Sequence, residues 1–102
     1  MSADNRDARL RLSAQRALIG AVPDALRAVY VEIADKRLVL HAIFASEPAT
    51  KERDLMCDVS GEILSDYLPD EVSSAEEDIR VVPEPTRIDC AGILVFMRAD
   101  RV

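Results

Sequence analysis

The sequence predicts an α+β fold with the element order α-β-β-α-β-β: a four-stranded antiparallel sheet with two helices on one face. Three observations predict it. Two segments, 6–21 and roughly 50–67, repeat their apolar residues at helical spacing. The neighbouring segments 26–34 and 37–45 alternate with a period of two. Two further short apolar runs, 79–83 and 90–99, follow the second helix. At 102 residues the chain is expected to be a single domain, 1–102, with residues 1–5 as a disordered tail.

In the first helix Leu10, Ala14, Ala17, Leu18 and Ala21 share a face. Ser13 is a competing N-cap, so the helix is expected to start at Arg6 or only at Ser13. Gly20 followed by Pro23 ends it. In LRAVYVEIA (26–34) Val29, Val31 and Ile33 point one way, with Arg27 at the exposed start of that series; Tyr30 and Glu32 point the other way. Asp35-Lys36 serves as a short turn into RLVLHAIFA (37–45), although it lacks the glycine of the best two-residue hairpins. Thr50 or Ser46 is expected to cap the second helix, and Pro69 closes it. Gly61 inside that helix costs about 1 kcal/mol relative to alanine. PDEVSSAEED (69–78) reads as an acidic loop. Pro83 and Pro85 separate the last two strands, because neither donates a ladder hydrogen bond.

The composition excludes several functions. The hydrophobic fraction is 49% and the formal net charge is −6. Residues 1–41 carry a net +2 and residues 42–102 a net −8. Nucleic acid and acidic membrane surfaces are poor partners for the acidic part, and a basic protein is its complement. Two cysteines, no apolar stretch near the roughly 20 residues of a membrane span, and a charged N-terminus without an apolar signal core lead to the expectation of a cytoplasmic protein.

Catalytic chemistry finds little support. The one histidine, His41, sits mid-strand, and Cys57 and Cys90 read as buried inert thiols. Two cysteines are too few for a zinc site. Gly20, Gly61 and Gly92 are isolated, so no phosphate-binding loop exists, and DEVSSAEED lacks the glycine turn of a calcium loop. No catalytic residue, metal or cofactor is expected. Arg6, Arg9, Arg11 and Arg16 read as a solvated face balancing nearby acids.

The pattern that stands out is DLMCDVSGEILSD (54–66). Asp54, Asp58, Glu62 and Asp66 follow one another at four-residue spacing. Like charges so placed each cost a helix about 0.2–0.5 kcal/mol. The row leads into Asp70, Glu71, Glu76, Glu77 and Asp78. It is either a solubility face or a surface whose self-repulsion a basic partner relieves. In the second case Tyr67 and Leu68 supply the apolar anchor. A small acidic protein without a pocket suits an inhibitor of a basic nuclease, because carboxylates compete with phosphates for a cationic site.

SAQRALIGAVPDALRAVYVEI (13–33), the second hairpin strand and GEILSDYLPD (61–70) resemble small bacterial α/β proteins. Some members of that group are similar to immunity proteins of contact-dependent growth inhibition or related toxin systems. The resemblance spans roughly residues 12–98 and implies cytoplasmic neutralisation of one cognate toxin, often an RNase. It implies no catalytic residues. The expected function is therefore a non-enzymatic immunity protein that occludes a basic nuclease toxin with the residues from Asp54 to Asp78. The alternative is a homodimeric adaptor or regulatory subunit pairing through its sheet, with Val29, Val31, Ile43 or their alternates at the seam. A second alternative is a small enzyme using His41 and a cysteine.

Overall fold

A computed structural model describes residues 3–99 of the chain. The elements are α1 (Ala3–Ala17), β1 (Leu26–Ala34), β2 (Arg37–Phe44), α2 (Thr50–Ser65), β3 (Ser74–Val81) and β4 (Ile93–Met97). They form one four-stranded sheet in the order β3-β2-β1-β4. β1 runs antiparallel to β2 and β4, as alternation implied, but β3 runs parallel to β2. The sheet is therefore mixed, and the second α-β-β unit is no hairpin. α2 carries the chain back past β2 before β3 begins, and such a crossover delivers a parallel strand. β3 and β4 occupy opposite edges, joined by the proline-containing segment 82–92.

The helices pack on one face of the sheet. Leu10, Ala14, Ala17 and Leu18 of the α1 segment and Met56, Val59 and Ile63 of α2 meet Val29, Val31, Leu38, Leu40, Ala42 and Phe44 in one core. This follows from helical spacing on one side and two-residue spacing on the other. Val29 pairs with Ala42 and Val31 with Leu40, so the inward residues of the hairpin stand side by side. Asp35 and Lys36 both take positive φ, 52° and 61°, which gives the two-residue turn its twist without glycine.

The connection 82–92 covers part of the other face. Arg80 points there with Ile43 and His41, and it contacts the Asp89 carbonyl and the Cys90 thiol. Ile43 and Ala28 on that face are fully buried. Val29, Val31 and Ile43 are thus all inaccessible, which removes them as the seam of a dimer. Gly92 ends the connection at φ +98°, where a Cβ would stand 2.8 Å from the Val31 carbonyl oxygen. Only glycine lets β4 enter beside β1 so closely.

Several boundaries move. α1 starts at Ala3, before either expected start, so residues 3–5 are helical rather than a tail; residues 1–2 lie outside the described residues. Neither Ser46 nor Thr50 caps α2. Ala49 occupies the cap position, and the Glu52 carboxylate accepts its N–H at 2.8 Å. β3 begins at Ser74, so Ser74–Asp78 belong to a strand and not to a loop. An edge strand tolerates carboxylates, which also discourage pairing with other chains. Arg27 is 4% exposed rather than at an open strand start. The register shift between Leu26 and Ala28 breaks the alternation there.

Gly61 is exposed on α2, and a Cβ added there meets nothing within 4 Å. Gly61→Ala is expected to raise stability by about 0.5–1 kcal/mol, read as a higher urea midpoint at unchanged slope.

Candidate functional site

α2 buries Met56, Val59, Ser60 and Ile63. Asp54, Asp58 and Glu62 therefore face solvent. Their side chains make no hydrogen bond or ion pair among the described residues. The field they create is felt by Cys57, which is exposed rather than buried. The charge of Glu77 pushes its thiol up most strongly, with Asp58 and Asp54 adding to the effect.

The row changes character at its end. Asp66 accepts from the Ser13 hydroxyl at 2.5 Å and from Arg16 at 2.7 Å, both on α1. Those two bonds hold its carboxyl below the usual carboxylate range. Glu71 receives both terminal nitrogens of Arg9, at 2.7 and 3.2 Å, and the Leu68 N–H at 3.0 Å. Its pKa drops to about 2, mainly through Arg9. Arg9 also lies over the Tyr67 ring, 4.2 Å from the centroid, and donates to the Asp66 carbonyl. Arg9 and Arg16, seven residues apart on α1, thus fasten it to the end of α2. Asp70 stays exposed, and Leu68 beside it is 64% exposed.

β3 divides the remaining carboxylates. Glu76 pairs with Arg37 at 3.2 Å. Glu77 points towards α2 and accepts from the Ser60 hydroxyl at 2.7 Å. Asp78 points to the opposite face and binds His41 and Arg80. The acidic stretch read as one ridge therefore has three settings: an unpaired row, a helix–helix latch and a two-faced strand.

His41 is buried, and each ring nitrogen lies 2.8 Å from a carboxylate oxygen, Nε2 from Glu32 and Nδ1 from Asp78. Neither nitrogen is left to activate a thiol, as a cysteine nucleophile requires. Burial also pushes the Cys90 thiol up, away from the reactive thiolate. Sequence reasoning missed Glu32 and Arg80 as partners of His41. The signal was present: the hairpin turn places Glu32 diagonally across from His41, on the same face. Among the described residues, no group of three or more metal-ligating side chains is placed to hold an ion.

One cleft contradicts the pocketless expectation. It has a volume of about 700 Å³ and lies between the start of α1 and the adjoining ends of β1 and β4, with an apolar floor that includes Leu10, Val31 and Ile93. Arg6, Tyr67 and Glu71 stand among its walls. It holds no nucleophile–base pair.

Among the described residues, the fold carries an acidic helix face, and His41 is paired with carboxylates rather than with a thiol. The family model for MafI2 immunity proteins matches residues 7–100. The chain belongs to the MafI2 immunity protein family. No curated protein matches it. The match takes in every strand, α2 and most of α1. Membership in MafI2 identifies the chain as a bacterial immunity protein of a polymorphic toxin system, whose partner is a cognate toxin. It also fits a non-catalytic inhibitor. No helix among the described residues is long and apolar enough to cross a membrane.

Proposed function

We propose that this MafI2 family member neutralises a basic toxin, a nuclease domain, in the cytoplasm, by laying the α2 face over the toxin's cationic substrate site. Contact-dependent growth inhibition is one setting in which such a toxin is delivered. The observation that carries the reading is the row Asp54, Asp58, Glu62: exposed, aligned, and without partners among the described residues. Asp70 extends the row's charge beyond the helix, and Tyr67 and Leu68 lie between as apolar contacts. Asp66 and Glu71 belong to the proposed face mainly as its frame, because α1 already holds them. Glu76, Glu77 and Asp78 lie behind it on β3 and add to its potential.

The row repels itself when free, and a toxin's lysines and arginines relieve that repulsion on binding. The test starts with capture of the toxin on the tagged chain at low salt and its release at high salt. The released protein is expected to degrade RNA or DNA until the immunity protein is added back. Asp54→Asn, Asp58→Asn and Glu62→Gln together are expected to raise Kd by about tenfold or more and to flatten its salt dependence. An unchanged Kd and salt slope in that triple variant would sink the row as the interface. A captured toxin without nuclease activity would sink the nuclease assignment alone.

A further inference from the structure

The sheet face away from the helices carries a second polar system, which the proposed toxin contact draws on only through the charge of Glu76 and Asp78. His41, on β2, is 8% exposed. Its Nε2 lies 2.8 Å from Oε2 of Glu32 on β1, and its Nδ1 lies 2.8 Å from Oδ2 of Asp78 on β3. Arg80, two residues further along β3, donates its Nε–H to the same Asp78 oxygen at 2.9 Å. The Nη2 of Arg80 sits 3.3 Å from Cys90 Sγ and 3.4 Å from His41 Nδ1. Its Nη1 lies 3.4 Å from the Asp89 carbonyl oxygen. Side-chain contacts thus run unbroken from β1 through β2 and β3 to the connection that covers this face.

Carboxylate oxygens only accept, so both short contacts of the ring are hydrogen bonds only when both nitrogens carry a proton. A neutral ring has one proton and turns a lone pair towards one carboxylate. Among the described residues, Nε2 has no donor within hydrogen-bond distance. Nδ1 has one, the Nη2 of Arg80. We propose that His41 Nδ1 changes partners with its proton, from Asp78 when the ring is charged to Arg80 when it is neutral, and that the 82–92 connection loosens as a result.

With the ring charged, Nδ1–H donates to Asp78, and Arg80 is free to hold Cys90 and the Asp89 carbonyl. With the ring neutral, Nε2–H stays on Glu32, and Nδ1 draws Arg80 away from the connection. The fastening is fully present while the ring is doubly protonated and is lost as pH rises through the ring's titration. The other groups facing this cluster are Tyr30 and Glu32 on β1, Arg37 on β2, Glu76, Asp78 and Arg80 on β3, and Asp89 and Cys90 on the connection; β4 contributes no titratable group. Carboxylates are charged throughout the neutral range, whereas phenol, thiol and guanidinium titrate above it. Among these side-chain types, imidazole is the one whose ordinary charge change falls between about pH 5 and pH 8.

The test follows the ring and the connection together by NMR over that pH range. The expected result is a lone-pair 15N shift at Nδ1, not Nε2, as pH rises. The heteronuclear NOE values of residues 89–91 fall in step with it. His41→Gln, whose amide has a donor group and an acceptor group but does not titrate, is expected to make those values independent of pH. Arg80→Lys keeps the charge but lacks the second arm of the guanidinium; it is expected to leave the ring titrating and uncouple the connection from it. A lone pair on Nε2 would overturn the proposal. So would pH-independent NOE values in the wild type, or the same fall in either variant.

Discussion

Replacing Phe44 with alanine is expected to cost about 3–5 kcal/mol of stability, the largest effect of any single core substitution in this chain. Phe44 is fully buried at the end of β2. It pairs with Leu26 on β1 and Val81 on β3, so its ring fills the core where three strands meet. The chain has two phenylalanines and no tryptophan, and the surrounding core is aliphatic. The residues paired with it, Leu26 and Val81, are aliphatic, so the site collapses poorly and most of the cavity cost remains. Small domains are stable by only about 5–15 kcal/mol, so the loss is a large share of the total. For a chain of this size it corresponds to a fall in melting temperature of about 15–30 °C, measurable by circular dichroism. A fall of only a few degrees would mean that the end of the sheet repacks.

How much of this was legible in the sequence depended on whether a residue's fate is set locally. β1, β2 and α2 were read within two residues of their observed ends, because each repeats its apolar residues strongly at one period. β3 was half missed because Glu76, Glu77 and Asp78 hide its alternation: Ala75 and Ile79 point inward, but Glu77 stands between them. Its direction was missed because nothing in residues 74–81 says which neighbour they join. The unpaired part of the acidic row was legible, since Asp54, Asp58 and Glu62 are exposed by the same period that buries Met56 and Ile63. The fates of Asp66 and Glu71 were not, because their partners on α1 lie 50 to 62 residues away. The clue was the spacing of Arg9 and Arg16, two turns apart on one helix face. It matches two acids at the end of α2 only once the helices are known to pack together.

Arg27→Ala is expected to destabilise the chain by about 2–4 kcal/mol, although the residue lies far from the acidic face. One guanidinium nitrogen, Nη1, donates to the Val82 carbonyl at 2.8 Å and to the Thr86 carbonyl at 2.9 Å. These bonds pin the start of the connection to β1, and the Arg98 N–H donates to the Arg27 carbonyl beside them. Each bond from a charged donor contributes about 1.5–3 kcal/mol, and truncation also leaves the carbonyls and the space of the side chain unfilled. Arg27→Lys keeps the charge, but its single ammonium lacks the planar fork and is expected to recover only part of the loss. Urea denaturation of the three proteins separates the causes. Equal losses in both variants would assign the effect to the guanidinium geometry, whereas full recovery in Arg27→Lys would assign it to charge. Toxin affinity measured well below the denaturation midpoint should stay unchanged in both, because α2 keeps its frame through Arg9 and Arg16. A loss of affinity in the folded Arg27→Lys protein would instead move the toxin contact towards the face covered by residues 82–92.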